Sequence, residues 1–564
     1  MSLPFARFVF VVTAVFFAAF FLWPVLQILQ GGFIDADGRV TFAYLRALLG
    51  DPTYLGGLRN SFLLACAATT LAVLIALPLA IVSDRFLFPA KNLLGSLVLI
   101  PMILPPFVGA IGIKQIFGQY GALNVLLHHV GLLAPGATID WFAANQFWGI
   151  AIVEALSLYP IIYLNAVAAL ANIDPAMEEA AQNLGCTGLR RFRKITLPLI
   201  RPGLFAGGTI VFIWAFTELG TPLIFDYDRV TSVQIYYGLK DIGGNPFPFA
   251  LVAVMLVCSV GIYALSKGLF GRTSHAMMAK ATSSGGARAL PPARAWACTA
   301  FFAGVTFLAV LPHLGVVLVA FSEDWYNTLL PQRYTLDNFR LALGHDLTVP
   351  AIANSLRFAS ISTVVDLVLG VLIAYVVVRS KIAGREVLDF LAMLPLAVPG
   401  LVLAFGYLAM SQDGKLFSFL NATRDPTILL VIAYSIRRLP YVVRSAAAGF
   451  QQTSETLEEA AQNLGCPPLK AMIKITLPLI TANLIAGGLL AFAFAMLEVS
   501  DSLILAQKQA YYPITKAIME LFQLLGDGKF IASALGVWAM VFLAVIIAGL
   551  STILGRKLGA IFRV

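Results

Sequence analysis

The sequence predicts an all-α polytopic membrane protein of about twelve transmembrane helices, arranged as two parallel six-helix repeats. Three observations carry that expectation. The 564 residues are 59% hydrophobic and only 12% charged, with a mean hydropathy of +0.87, whereas soluble chains carry about 25% charged residues. Apolar stretches of roughly 20 residues, the length a helix needs to cross a hydrocarbon core, recur along the whole chain. Short motifs also repeat at a fixed offset. This composition excludes a soluble enzyme, a disordered scaffold and a nucleic-acid binder. The net charge of +9 sits in short loops between apolar runs, the pattern of a multi-pass membrane protein.

The candidate spans lie near 7–30, 58–83, 93–118, 145–168, 201–224, 248–270, 295–321, 353–379, 387–411, 427–448, 482–505 and 529–552. The first is long for the apolar core of a signal peptide, and no small-x-small cleavage site follows it, so it is expected to be retained. Pro78, Pro101, Pro105, Pro395 and Pro399 fall inside spans, where membrane helices tolerate them. The N-terminus, the loops near 84–92, 170–200, 271–294, 380–386 and 450–481, and the C-terminus fall on one side. With the flanking helix ends they hold 24 of the 38 Lys and Arg, leaving 14 on the other. That side is expected to be the cytoplasm of a bacterial inner membrane, with both termini there. Five widely spaced cysteines form no disulfide framework, and neither CxxC nor HExxH occurs. No metal site and no catalytic residue is therefore expected.

The chain repeats itself. Glu178–Cys186 and Glu458–Cys466 both read EEAAQNLGC, and Lys194–Ile200 and Lys474–Ile480 both read KITLPLI, all at an offset of 280. Pro160 pairs with Pro440 and Glu218 with Glu498 at the same offset. Upstream the offset is 294: Asn60-Ser61 pairs with Asn354-Ser355, Arg85 with Arg379, and Pro105 with Pro399. Six spans per half keep both copies in the same orientation. The expected organisation is a first half over 1–270, a Ser/Gly/Ala/Pro-rich cytoplasmic linker over 271–294, and a second half over 295–564.

The repeated polar segments, 174–200 and 454–480, are the most informative. Asp174 and Ser454 are good N-cap residues, and acidic pairs follow near the positive end of the helix dipole. Gly185 and Gly465 suit a helix stop. Pro198 and Pro478 lead back into the membrane. Surface loops drift fastest, so agreement between two copies in a chain that has otherwise diverged implies a common task, and suits a partner with two similar faces.

These residues resemble a known signature: Glu-Ala-Ala, three residues, Gly, nine residues, Ile-x-Leu-Pro. It stands as Glu179-Ala180-Ala181, Gly185 and Ile195-Thr196-Leu197-Pro198, and again as Glu459-Ala460-Ala461, Gly465 and Ile475-Thr476-Leu477-Pro478. The chain is thereby identified as similar to binding-protein-dependent ABC importer permeases. It looks like a fused pair of type I permease halves, as in the ferric-iron and thiamine branches. The resemblance implies that each segment is a coupling helix seated in a groove of an ABC ATPase. Glu179 and Glu459 would make polar docking contacts, the alanines the close fit, and Gly185 and Gly465 the turn. It implies two ATPase copies per chain, an extracytoplasmic substrate-binding protein, and the lipid bilayer as surroundings. No GxxxxGK[ST] loop occurs, so ATP and Mg would be used by the partner, and this chain would bind no cofactor and be no enzyme.

Ionisable residues inside spans default to functional hypotheses. Glu218 and Glu498 lie near the outer ends of equivalent spans, with Asp501 one turn beyond. Either they face the path and favour a cation such as ferric iron, or each caps its span and pairs locally. Arg437 and Arg438 either meet an anionic substrate such as a phosphonate, or snorkel to cytoplasmic headgroups or pair within the bundle. His128-His129 in the outer loop lack an adjacent carboxylate or thiolate. The alternative to an ATP-driven importer is a twelve-span secondary transporter driven by an ion gradient, with Glu154, Asp366 or Arg437 as coupling groups; otherwise Glu154 and Asp366 are expected to be satisfied inside the bundle. It would leave the duplicated cytoplasmic motif without a task.

Overall fold

The computed structural model describes residues 3–35, 37–102, 105–134, 136–142, 145–239, 245–270 and 288–554. Among them, eight helices are long and apolar enough to cross a membrane. Three further helix pairs, each bent by more than 40°, bring the number to eleven if each pair is one span. In chain order the first half contains α1 (Phe5–Phe33), α2 (Pro52–Arg85), the bent pair α3 (Lys91–Met102) and α4 (Pro106–His129), α5 (Gln146–Ala171), α6 (Pro175–Asn183), α7 (Gly188–Thr217), α8 (Gly220–Ile224), α9 (Thr231–Gly238) and α10 (Phe247–Phe270). The second contains α11 (Pro292–Phe321), α12 (Thr348–Arg379), the bent pair α13 (Arg385–Leu396) and α14 (Gly400–Met410), α15 (Thr427–Gln452), α16 (Thr456–Asn463), the bent pair α17 (Pro468–Leu479) and α18 (Thr481–Met496), α19 (Ser500–Leu505), α20 (Ile514–Phe522) and α21 (Gly528–Leu554). The predicted span at 427–448 is α15. It is 26 residues long, but Arg437, Arg438 and Arg444 lower its hydropathy, so it is the one of the twelve that apolarity alone does not mark as crossing.

The prolines set the breaks. Pro399 stands in extended conformation at φ −61° and ψ 144° before α14, and α13 and α14 meet at 101°. Pro105 does the same before α4, at φ −58° and ψ 141°. A proline cannot donate to the preceding turn, and the residue before it leaves the helical region.

The two halves pack alike. α2 lies on α5 and α7 in the first, as α12 lies on α15 and α18 in the second. The first span of each half crosses to the other: α1 packs on α14 and α10, and α11 on α4 and α21. Small residues permit that approach, as membrane helix pairs require. A Cβ at Gly406 would come within 2.9 Å of the Pro24 carbonyl oxygen, and one at Gly112 would collide with that of Pro312. Gly406→Leu is therefore expected to lower thermal stability in detergent by roughly 1–3 kcal/mol, the usual cost of overpacking. Gly304→Leu, where a Cβ meets nothing within 4 Å, should leave it unchanged.

The paired Asn-Ser signal also has a structural task. Ser61 Oγ accepts the Thr231 N–H at 2.9 Å and Ser355 Oγ that of Ile514 at 2.7 Å. Asn60 and Asn354 donate to the carbonyls of Arg229 and Ala510. Each pair thus fixes α9 or α20 against the start of a long span. At the other end of the bundle, Phe86–Leu87 pairs in parallel with Arg288–Ala289. Most of the predicted linker, 271–287, lies outside the described residues.

Candidate functional site

Two arrangements place the residues singled out by the sequence. The first is the pair of motif segments. The Asp174 carboxylate accepts the Ala176 N–H at 2.9 Å and caps α6, while Ser454 Oγ accepts that of Thr456 at 3.3 Å. Both helices stop at a left-handed glycine, Gly185 at φ +75° and Gly465 at φ +86°. Cys186 N–H reaches back to the Ala181 carbonyl at 2.8 Å, and Cys466 N–H to that of Ala461 at 3.0 Å, closing the Schellman pattern. Each chain then enters a π-helical turn, Phe192–Thr196 or Met472–Thr476. Pro198 and Pro478 lack the N–H that would close the ordinary turn, and the wider turn re-pairs the freed carbonyls.

The structure separates the two glutamates of each motif. Glu179, Glu459, Ala180 and Ala460 are exposed, Ala181 is buried and Ala461 half-buried. Glu178 and Glu458 turn inward. Glu178 accepts from Thr196 at 2.6 Å and is bonded to Arg85. Glu458 accepts from Thr476 at 2.6 Å and Tyr375 at 2.9 Å, and Arg379 lies at 3.8 Å. Leu184 and Leu464, which the sequence reading passed over, are 88% and 90% exposed at the helix tips. Their signal was a leucine next to the stop glycine in both copies.

Burial pushes the Glu178 carboxyl up, but hydrogen bonds from Thr196 and Arg85, with the charges of Arg85 and Arg191, outweigh it and hold the carboxyl below its usual range. A lowered folded value means the group's contribution is complete above the unfolded value of about 4.3 and is lost as pH falls through the folded one. Thermal stability of the native chain should therefore drop more steeply below about pH 4 than that of Glu178→Gln.

The second arrangement is a cavity of about 220 Å³ between the halves. The break prolines Pro105 and Pro399, with Pro101 and Pro395 in the preceding helices, line it together with Glu218, Glu498, Arg437, Arg438, Trp214 and Tyr441. Its two sides differ. Glu498 is bonded to Arg437 at 2.5 Å and to Arg438, and Asp501 lies 3.6 Å from Arg437. A Cβ at Gly400 would collide with the Arg437 guanidinium. At the equivalent first-half positions stand Ser157, Leu158, Thr221 and Pro106. Glu218 accepts from the Thr221 N–H at 3.3 Å and its hydroxyl at 3.5 Å, and among the described residues no basic side chain pairs with it. Both glutamates sit where a span ends and a short helix begins, so each caps that break as well as lining the cavity.

Elsewhere, Asp366 accepts from Ser435 at 2.5 Å, while Glu154 is fully buried with neither oxygen hydrogen-bonded. His129 is bonded to the Val125 carbonyl at 2.8 Å. Among the described residues no group of three or more His, Cys, Asp and Glu is placed to hold a metal ion.

The chain is similar in sequence to known proteins. Residues 73–275 and 366–558 each match the family described as binding-protein-dependent transport system inner membrane component. A putative ferric transport system permease protein of Haemophilus influenzae is 27% identical over 503 residues, covering 87% of this chain and 76% of that protein. A ferric transport system permease protein of Actinobacillus pleuropneumoniae is 26% identical over 87% of this chain and 70% of its own length. A molybdate/tungstate transport system permease protein of Pyrococcus furiosus is 31% identical over 37% of this chain and 80% of that protein. A crystal structure of a bacterial ABC transporter involved in the import of the acidic polysaccharide alginate aligns with 46% of this chain and 95% of its own, at 17% identity and a TM-score of 0.34.

Proposed function

The chain belongs to the binding-protein-dependent transport system inner membrane components, and from that premise we propose that it supplies both permease halves of an ATP-driven importer and carries ferric iron. It is a multi-pass inner-membrane transport subunit. The observation that carries the coupling reading is the pair of motif helices, each exposing a Glu-Ala edge and a leucine tip in the same geometry. Two equal surfaces suit two copies of one ATPase, docked at α6 and α16 on the cytoplasmic side, where both termini lie. Glu179 and Glu459 make the polar contacts, Ala180 and Ala460 the close approach, and Leu184 and Leu464 the apolar anchors. ATP and Mg act in that partner. A substrate-binding protein delivers cargo to the opposite face.

Ferric iron is supported by two relatives that each cover 87% of the chain and by the cavity's charge. Arg437 and Arg438 neutralise Glu498 and Asp501, which leaves Glu218 as the carboxylate available to a passing cation. The cavity is the path, and it changes access when the ATPase dimer closes and moves both helices.

A mild-detergent pull-down of the tagged chain from native membranes tests the coupling reading. The expected result is two ATPase copies per chain, lost when Glu179 and Glu459 are both changed to Lys. A chain that comes down alone, yet transports under an imposed proton or sodium gradient, would overturn it. Leu184→Ser with Leu464→Ser is expected to weaken ATPase retention by about 2 kcal/mol per site, the transfer value of a buried leucine, with no change in the chain's own thermal stability. Uptake of radioactive ferric iron by reconstituted vesicles tests the cargo. Uptake that persists undiminished in Glu218→Gln would remove Glu218 from the path.

A further inference from the structure

The inward glutamates carry a task separate from docking. α6 is nine residues long and α16 eight, and each joins its neighbours through short turns. A helix held only by its connectors would tilt when pulled and leave the bundle where it was. Glu178 removes that slack. Its carboxylate takes the hydroxyl of Thr196, in the π-turn within α7, and the guanidinium of Arg85, the last residue of α2. One side chain thus ties three elements together. Glu458 repeats the bond to the π-turn threonine, Thr476, and takes Tyr375 of α12, which stands where the first half has Ile81, in place of the direct arginine bond, Arg379 lying at 3.8 Å. Arg379 also donates to the Phe450 carbonyl at 2.8 Å and to Glu455 at 3.0 Å. The second joint therefore has more bonds and is more buried, with the Glu458 side chain 7% exposed against 16% for Glu178.

We infer that Glu178 and Glu458 are positioning residues that make each motif helix move as one body with its bundle, and that they pass force inward rather than touch the ATPase. The inference rests on the coupling reading above. Charge-assisted hydrogen bonds to a buried carboxylate are the strong ones, and removing a partner leaves the rest unpaired. The π-turn adds an independent reason, because such turns mark places where a helix is re-aimed for function, and here both present their last threonine to the carboxylate.

The test uses the complex purified from native membranes and reconstituted with its binding protein in vesicles. ATPase retention, ATP hydrolysis and iron uptake are measured on the same preparation. Glu178→Gln with Glu458→Gln is expected to keep the ATPase and its hydrolysis but to lower iron carried per ATP by about tenfold, the scale set by one charge-assisted bond. In the first half alone, Glu178→Arg with Arg85→Glu should restore what Glu178→Gln loses, which a general loss of folding would not. Unchanged iron per ATP in the double variant would overturn the inference. Loss of the ATPase from that variant would overturn it too, because the glutamates would then be docking residues. If the native chain retains no ATPase, the coupling reading falls, and that outcome is read before any variant is made.

Discussion

Arg437→Ser combined with Arg438→Leu is expected to destabilise the chain by roughly 3–5 kcal/mol, the cost of leaving buried carboxylates without their cations. The two substitutions install the first-half residues Ser157 and Leu158 at their second-half equivalents. They strand Glu498 and Asp501, whose side chains are 5% and 0% exposed. Adding Asp501→Thr should recover much of the loss, because Glu498 would then meet a threonine, as Glu218 meets Thr221. Residues that share one network are not additive, so the triple variant is expected to be more stable than the double. Gly400 offers an internal check. Gly400→Ala should destabilise the native chain, where the new methyl collides with the Arg437 guanidinium, and should be tolerated once Arg437 is serine. Thermal unfolding in detergent reads all four. A double variant as stable as the native chain would mean that the arginines do not hold the carboxylates.

Much of this architecture was legible because it rests on local pattern. The spans follow from apolar length, but the prolines in register at 105 and 399, read as tolerated within continuous spans, instead break them at 96° and 101°. The ends of α6 follow from Asp174 and Gly185. What stayed hidden depends on partners distant in sequence. Glu178 and Glu179 are adjacent, so they point about 100° apart on the helix. Which one faces the bundle is decided by Arg85, 93 residues away. The crossing of α1 and α11 onto the opposite halves was likewise invisible, although Gly112 and Gly406 sit at equivalent positions. The arginine pair left two readings open, and the structure places it against Glu498. A hint was available in the repeat itself, since Arg437, Arg438, Asp501 and Gly400 all depart from their first-half counterparts. Four coordinated departures around a glutamate that both halves share mark a network rather than drift.

Covalent linkage of Tyr236 to Lys516 is expected to abolish transport while leaving the ATPase bound. α9 belongs to the first half and α20 to the second, and Lys516 Nζ lies 3.4 Å from the Tyr236 hydroxyl. Lys516 is buried, pairs with Glu520 at 2.7 Å, and sits over the rings of Tyr236 and Tyr512 at 5.9 and 5.4 Å. Burial alone would lower its pKa, but Tyr236 and the bond to Glu520 outweigh it, so the ammonium is held above its ordinary value. It therefore stays charged across the physiological range, and the contact does not loosen on a pH change. The 30 residues of α7 run between this end of the molecule and α6, a helix length of about 45 Å. Lys516 thus joins the halves at the end of the molecule remote from α6, beyond the cavity that holds Glu218. In the importer reading proposed above, cargo enters from that end, and the contact of α9 with α20 is taken as the barrier it passes. Tyr236→Cys with Lys516→Cys, in a chain whose five native cysteines are replaced by serine or alanine and treated with a short bis-maleimide, should therefore stop iron uptake without releasing the ATPase. The unlinked double-cysteine chain should still transport, because it loses the contact and leaves α9 and α20 free to separate. Full uptake by the linked chain would mean that the halves stay closed there throughout the cycle and that cargo takes another route past Glu218.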